Sequence, residues 1–483
     1  MNAAEWMRSA LAAHDEAEQT RRLAHATAAD EAVIDAADRE AARRRAALGT
    51  GEARERLEEA VSTGAVDPTS HAAMLAHLGQ IATLEVLARR KVDLSLAAST
   101  KAVVADRERS IDELVDDVRT AERSRALEAL GALADEAARG RAERLEALAD
   151  ADERSARIAA RGPSAPDAPP ADLGEQASRF LDETSDAAAD LVARALRDRP
   201  APREALLATL RALSPSSLDS LAPERGRARR IAAVLEALDL GRELSGQVRV
   251  VRSRAAFPRH ALVVQRAAVT ILEAPSRAGL DDERRLLGTV AEALARGLVS
   301  RALPFEHAAA PSASAAVALG ALFRAFSADP AFVTRSLELG RREALAVATA
   351  SAAAVALEAR LACAALVAGP PSERAEEAAR VAGGRALFVD PSLVPVELVH
   401  SSRRTWSSTR TWARTELAAL AWAPALRERY DVDFHRNPRL GDFFRGLAAR
   451  GGLVTAEVVT AELAAAKDAA SRRVTELAEA LRG

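Results

Sequence analysis

The chain has 483 residues, one cysteine and a formal net charge of −3, with basic and acidic residues mixed along its length. This length predicts roughly two or three domains with large buried cores. A nearly neutral chain argues against an extended nucleic-acid-binding face and against a surface dedicated to anionic membranes. The lone Cys363 cannot form an internal disulfide, so we expect a soluble, cytoplasmic protein.

The N-terminal region, residues 1–160, is rich in alanine and in charged residues, a composition that favours helices. Four helical stretches are expected between glycine-rich breaks: 2–47, 52–63, 68–91 and 99–160. Their apolar positions do not keep a strict heptad, which favours a hairpin or bundle covering the rest of the protein over a partner-binding coiled coil. The proline-rich residues 161–174 predict a linker or an exposed loop.

Residues 175–483 combine helical stretches with a few strand-like segments. Three short segments rich in β-branched residues predict strands near 247–273. The longest apolar run, 344–368, is interrupted by Glu358 and Arg360. Those charges favour a buried helix over a membrane span.

An amphipathic helix is predicted immediately after the strands, over residues 281–301. Its apolar residues recur at three- and four-residue spacing, which places them on one face: Leu286, Leu287, Val290, Leu294 and Leu298. Two residues break this pattern. Gly288 lies in the middle of the helix, where glycine costs about 1 kcal/mol relative to alanine, and Glu292 lies close to the apolar face.

Three segments in the second half of the chain share an ordered pattern. Residues 425–463 contain Arg-Asn-Pro, Gly-Asp-Phe, a glycine pair and Thr-Ala-Glu, and residues 309–332 are serine-containing and end in Leu-Phe and Asp-Pro. Residues 286–293 precede the second segment. Together they resemble the oligoendopeptidase F and thimet oligopeptidase type of zinc metallopeptidase. The resemblance implies a mostly α fold, a small β-sheet beside the zinc helix, and a deep central channel.

The resemblance also implies an H-E-x-x-H helix, in which two histidines bind zinc and the glutamate acts as general base. In this chain Gly288 stands at the first histidine position, Thr289 at the glutamate and Glu292 at the second histidine. The family's third ligand corresponds to the neighbourhood of Val317. Zinc is expected of the family, but its ligands are missing at these degenerate positions, so we expect no metal and no cofactor.

Other polar residues suggest binding instead of catalysis. Arginine and tryptophan alternate in residues 400–414, and we single out a group that could hold a peptide carboxylate or another anion: His400, Arg403, Arg404, Trp406, Arg410 and Trp412. An interdomain salt-bridge surface explains the same residues equally well. The adjacent Glu306 and His307 are expected to form a surface polar pair and not a metal site. Cys363 is expected to be a buried core thiol.

Three functional hypotheses follow. The first is a catalytically inactive metallopeptidase homologue that binds a peptide or a protein through the former channel. The second is an active metal-dependent oligopeptidase with a relocated metal site. The third is a structural helical adaptor whose channel is filled by side chains. Neither nucleic acid nor a membrane is expected as a partner, and the oligomeric state stays open.

Overall fold

The computed structural model describes residues 2–27, 29–49, 51–90, 101–104, 107–163, 167–196, 205–252, 260–265, 268–273, 279–309, 313–372, 375–401 and 404–482. Within these ranges the fold is mostly α-helical, with a small three-stranded sheet, as the sequence predicts.

The N-terminal region is a group of helices with one β-hairpin. Its elements are α1 (Ala3–Thr27), α2 (Glu31–Leu48), α3 (Gly51–Ser62), α4 (Pro68–Arg89), β1 (Lys101–Val104), β2 (Arg107–Ser110), α5 (Ile111–Thr120), α6 (Arg123–Ala138) and α7 (Arg141–Ala159). The helical stretch expected over 99–160 thus contains three helices, and the β-hairpin at its start was not expected. Ser110 and Glu113 form a capping box that begins α5, and Gly140, at φ +62°, separates α6 from α7.

The remainder of the chain is also helical. Its helices are α8 (Leu173–Glu183), α9 (Ser185–Leu196), α10 (Ala205–Leu213), α11 (Arg227–Ala237), α12 (Gly241–Gln247), α13 (Leu280–Gly297), α14 (Phe305–Ala308), α15 (Ser314–Ala325), α16 (Pro330–Ser336), α17 (Arg341–Val367), α18 (Glu376–Leu387), α19 (Val396–Val399), α20 (Trp406–Tyr430), α21 (Pro438–Ala449), α22 (Ala456–Glu462) and α23 (Ala469–Ala480). Among the described helices, α17 alone has the length and hydropathy of a membrane span. It is buried within the protein, as predicted for this segment, and Cys363 on it is a fully buried thiol.

The sheet consists of β3 (Val248–Arg252), β4 (His260–Gln265) and β5 (Ala268–Glu273) in the order β3-β5-β4. β3 runs parallel and β4 antiparallel to the central β5. These are the three strands that the sequence predicts. α13 packs against β4 and β5, with Val263, Val269 and Ile271 buried. The sheet thus lies beside the helix that carries Gly288 and Glu292.

The described residues form one large apolar core, a second core among the N-terminal helices, and three smaller clusters. The N-terminal core contains Met7, Leu11 and Met74, and it also includes Phe305 from α14. The larger core surrounds α13, α15, α17 and α20. Because Phe305 belongs to the second half of the chain but is buried among the N-terminal helices, the two halves are packed against each other at α14.

The proline-rich segment provides a second attachment between the halves. Asp167 accepts a hydrogen bond from the backbone N–H of Ser314 at 2.9 Å and from the Arg414 guanidinium at 2.8 Å. Arg414 also donates to Glu457 at 2.6 Å. Asp167 therefore binds the start of α15 and the side of α20. The division of the chain at 161–174 remains a prediction.

Candidate functional site

The two helices that carry the positions matched to the zinc site by the sequence resemblance, α13 and α15, touch at two glycines. A Cβ atom added to Gly288 on α13 would lie 2.6 Å from the carbonyl oxygen of Gly320 on α15 and 2.5 Å from Cγ of Arg324. A Cβ added to Gly320 would lie 2.9 Å from the carbonyl oxygen of Gly288. We call this contact the glycine seam. The mid-helix glycine that the sequence leaves unexplained is thus required by the close approach of two backbones.

A group of ionic side chains adjoins the glycine seam, and it extends from the buried Arg284 and Glu416 to the exposed Arg285. Arg284 donates to Glu358 at 2.7 Å and to Asp281 at 3.0 Å, with 2% of its side chain exposed. Arg285 donates to Asp281 at 2.8 Å. Arg324, whose stem covers Gly288, pairs with Glu416. We call these residues the charge cluster: Asp281, Arg284, Arg285, Arg324, Glu358 and Glu416.

The carboxyl groups of the charge cluster differ in their pKa. Burial would raise the pKa of Asp281, but the guanidinium groups of Arg285 and Arg284 bring it below its ordinary value. The pKa of Glu358 is likewise lowered, because its neighbouring arginines outweigh its burial. For Glu416 burial prevails and raises the pKa, although Arg324 opposes it. Each carboxyl group of the charge cluster therefore pairs with at least one arginine.

The four positions matched to the zinc site by the sequence resemblance do not supply a zinc ligand set. Gly288 and Val317 have no ligand atom in their side chains, and Thr289 donates its hydroxyl to the backbone oxygen of Arg285. Glu292 pairs with Arg296 at 2.8 Å. A catalytic zinc needs about three protein ligands, and no group of three or more His, Cys, Asp or Glu suited to a metal occurs in the part of the chain that the structure describes. The residues described at these positions therefore do not fit the zinc that the sequence resemblance implies.

The arginine and tryptophan residues of 400–414 are only partly brought together. Arg404 stacks over the Trp412 ring at 4.1 Å. Burial lowers the pKa of Arg404, and Glu416 of the charge cluster raises it. Arg410 is half-buried on the same helix, α20. These contacts place Arg404 next to the charge cluster.

Other members of that group have separate surroundings. The backbone N–H of Trp406 donates to Asp152 at 2.8 Å, which ties the start of α20 to α7. His400 is buried, and its carbonyl oxygen accepts a hydrogen bond from Arg141 at 3.0 Å. Arg403 lies outside the described residues. Binding by this group remains a prediction.

The expectation that Glu306 and His307 form a surface pair was wrong, because both are buried. Arg8 of α1 donates to both carboxylate oxygens of Glu306 at 3.1 Å through Nε. His307 lies 3.1 Å from the Ser70 hydroxyl of α4. These residues attach the N-terminal helices to α14. Sequence reasoning missed this role because their partners lie more than two hundred positions away.

A cavity of about 250 Å³ lies where the N-terminal helices face the second half of the chain. We call it the interface cavity. The wall formed by α1 and α4 is polar, with Asp15, Gln19, Arg22, His77 and Gln80. The opposite wall is mostly apolar and includes Leu262, Ala295, Val299, Ala316, Leu319 and Val454. Glu292 and Arg296, on the last turns of α13, also line it.

The polar wall was not identified from the sequence. Asp15, Gln19 and Arg22 follow one another at the spacing of a single helix face, in line with the buried Met7 and Leu11. This change along α1, from apolar to polar residues on one helix face, is the sequence feature that could have indicated the polar wall. It is also typical of an ordinary solvated helix end, so the signal has meaning only once the opposite wall is known.

The fold is similar to that of known peptidases. A structure described as oligoendopeptidase F from Bacillus anthracis superposes with a TM-score of 0.59 at 12% identity, covering 95% of this chain and 87% of that one. An M32 carboxypeptidase from Deinococcus radiodurans superposes with a TM-score of 0.57 at 13% sequence identity, covering 99% of this chain and 98% of that one. PZ peptidase A superposes with a TM-score of 0.56 at 12% identity, covering 98% of this chain and 96% of that one. No protein-family model matches the chain, and its sequence matches no curated protein.

These similarities establish a metallopeptidase-type fold. They span nearly the whole chain, so the N-terminal helices belong to the shared fold. The sequence resemblance, by contrast, starts near residue 175.

Proposed function

We propose that this protein is a catalytically inactive member of the oligoendopeptidase-like fold that binds a peptide or a segment of a partner protein. The observation that carries the proposal is the glycine seam. Any side chain at position 288 would meet the backbone oxygen of Gly320 at 2.6 Å. A zinc-binding histidine there would require α13 and α15 to move apart.

The charge cluster supports the same proposal. Glu358 and Glu416 are buried carboxylates near α13, and each pairs with arginine. Recruiting Glu358 to a metal would take one of its two carboxylate partners from the buried Arg284, and recruiting Glu416 would take the partner of Arg324. Breaking a buried ion pair costs several kcal/mol. The space beside Gly288 is therefore filled by α15, and the nearby carboxylates pair with arginines.

The interface cavity supports the binding part of the proposal. It lies beside the last turns of α13, and polar side chains face apolar ones across it. Ligand sites commonly combine an apolar wall with a few placed polar groups. The volume of about 250 Å³ suits one or two residues of a peptide and not a long segment.

A direct test measures zinc and peptide cleavage on the same sample. The full chain is purified without chelator or metal-affinity tag, and its metal content is measured by inductively coupled plasma mass spectrometry. We expect far less than one zinc per chain and no cleavage of a mixed fluorogenic peptide set, with or without added zinc. Zinc near one per chain together with chelator-sensitive cleavage would establish the relocated-site alternative instead.

The structural-adaptor alternative is favoured by one observation. The backbones of α13 and α15 touch at the glycine seam, as expected if protein atoms fill the channel. A peptide-binding measurement distinguishes the adaptor from the peptide-binding protein. Equilibrium dialysis of the full chain against a random tetrapeptide mixture, read by mass spectrometry, should enrich a subset of peptides. No enrichment at millimolar peptide would favour the adaptor.

A further inference from the structure

The polar wall of the interface cavity contains an arginine, Arg22, that interacts electrostatically with Glu18 and Asp15 but forms no hydrogen bond or ion pair within the described part of the chain. Arg22 lines the cavity and remains accessible to solvent. Its neighbour Arg21 pairs with Glu18 at 3.0 Å, whereas Arg22 makes no hydrogen bond or ion pair with the described residues. A guanidinium carries five donors and stays charged in proteins. Arg22 therefore offers a cation to whatever enters the cavity.

Two buried acceptors on the same cavity also have no partner. The side chain of Gln19 donates to Asp15 at 3.2 Å, and its Oε1 atom is buried without a hydrogen bond. Nδ1 of His307 is likewise buried and unpaired. Both residues line the cavity and are less than 9% exposed. A buried polar atom without a hydrogen-bond partner destabilises the folded state by about 1–3 kcal/mol. A ligand that donates a hydrogen bond to either atom would remove that cost.

The tautomer of His307 follows from its neighbours. The Ser70 hydroxyl donates its proton to Asp67 at 2.8 Å, so at His307 it can only accept. Nε2 of His307, 3.1 Å from that hydroxyl, must then carry the ring proton. Burial lowers the pKa of His307, which keeps the ring neutral. Its Nδ1 atom is therefore a hydrogen-bond acceptor.

These groups specify a ligand with three parts. Arg22 needs an anion, preferably a carboxylate, because a guanidinium matches its planar pair of oxygens. Gln19 and His307 need N–H donors. The opposite wall, which includes Ala295, Ala316 and Leu319, needs an apolar group. A fatty acid has the first and third parts but no N–H donor.

We propose that the interface cavity binds the carboxyl-terminal end of a peptide. Its carboxylate would pair with Arg22, the backbone N–H groups of its last two residues would donate to Gln19 and His307, and its last side chain would contact the alanine-rich wall. This inference rests on the proposed function and adds a chemical class of ligand to it. Peptides that end in a small or medium apolar residue should bind, and peptides with a blocked carboxyl end should not.

The experiment is isothermal titration calorimetry on the full chain with N-acetyl-Ala-Ala-Leu as the probe. The same peptide with a carboxyl-terminal amide should bind at least about tenfold more weakly, since a charged hydrogen bond is lost. 4-Methylpentanoate, which has the carboxylate and the apolar group but no N–H, should also bind at least about tenfold more weakly. These comparisons use the unaltered protein.

Two variants complete the test. Arg22→Gln should weaken binding of the acid peptide about tenfold or more, because its guanidinium is removed. Arg21→Gln removes the same charge from the adjacent position, which does not line the cavity, and should change binding less than twofold. Arg22 makes no hydrogen bond or ion pair with the described residues, so Arg22→Gln should fold normally, with a nearly unchanged unfolding midpoint.

The outcomes separate the two proposals. Equal binding of acid and amide, or unchanged binding by Arg22→Gln, would overturn the carboxylate assignment and leave peptide binding standing. Equal binding of peptide and 4-methylpentanoate would overturn the peptide assignment in favour of a free carboxylate. If no peptide binds in this assay or in the tetrapeptide mixture, both proposals fail.

Discussion

The two halves of α13 have opposite surroundings. Its first half, around Arg284 and Gly288, is closed by the glycine seam and the charge cluster. Its last turns, around Glu292 and Arg296, open onto the interface cavity. In the first half every polar group we describe is paired, whereas the cavity retains an unpaired cation and unpaired acceptors. The same helix is thus closely packed at one end and lines a cavity at the other.

The largest effect is expected in the closed half. Glu358→Gln removes the carboxylate that pairs with Arg284, a guanidinium with 2% of its side chain exposed. The free energy of unfolding should fall by about 3 kcal/mol, the lower end for breaking a buried ion pair, because Asp281 still neutralises part of the charge. Urea unfolding followed by circular dichroism measures it.

Its control is Glu40→Gln on α2, which breaks exposed pairs to Arg43 and Arg44. Exposed pairs contribute little, so its unfolding midpoint should stay unchanged. Equal effects at the two positions would mean that the charge cluster is not shielded from water.

The glycine seam should give the next largest effect. Gly288→Ala places a methyl group 2.6 Å from the Gly320 carbonyl oxygen, and a backbone atom cannot give way as a flexible side chain can. Overpacking of this kind costs about 2 kcal/mol, measured by urea unfolding. A neutral or stabilising result would show that α13 and α15 are not in backbone contact and would remove the main support for the inactive-site proposal.

The cavity side should respond to pH. Burial lowers the pKa of His77 to about 4, with smaller opposing contributions from Glu306 and small lowering ones from His14 and His307. The unfolded chain therefore binds more protons than the folded chain between about pH 6.5 and pH 4. The free energy of unfolding should fall as pH is lowered through that window, by about 1–2 kcal/mol for this residue at pH 5 relative to pH 7.

Urea unfolding at both pH values measures that difference. His14, whose pKa burial also lowers to about 4, should contribute in the same direction. His77→Gln should remove the contribution of His77 to the pH dependence of the free energy of unfolding. His25→Gln, at an exposed position of α1, should leave that contribution intact. An unchanged dependence in His77→Gln would mean that the N-terminal helices do not bury this residue.

The smallest effect tests the meaning of a mid-helix glycine. Gly131 of α6 has no atom within 4 Å of its added Cβ position. Gly131→Ala should therefore stabilise the chain by up to about 1 kcal/mol through helix propensity alone. A higher thermal midpoint for this variant, beside a lower one for Gly288→Ala, would separate a glycine required by packing from one that is not. A loss of stability at Gly131 would contradict the open surroundings of α6.

Much of the architecture could be predicted because it depends on local patterns. The β-branched segments near 247–273 form β3, β4 and β5, and the three- and four-residue apolar spacing places α13 within a few residues of its predicted span. The β-hairpin at 101–110 escaped prediction because its strands are four residues each, in a stretch whose composition favours helix. Local propensity is a weak signal over so few residues.

Local sequence patterns predicted a mostly helical chain with a three-stranded sheet, and they marked Gly288 and Glu292 as exceptions on one helix. What these two residues contact became clear only from the tertiary structure. Gly288 is explained by the backbone of Gly320, and Glu292 lines the interface cavity. Glu306, expected at the surface, is instead buried and pairs with Arg8, which is 298 positions away. Periodicity arises within one element, whereas close packing and ion pairing depend on which distant elements are brought together.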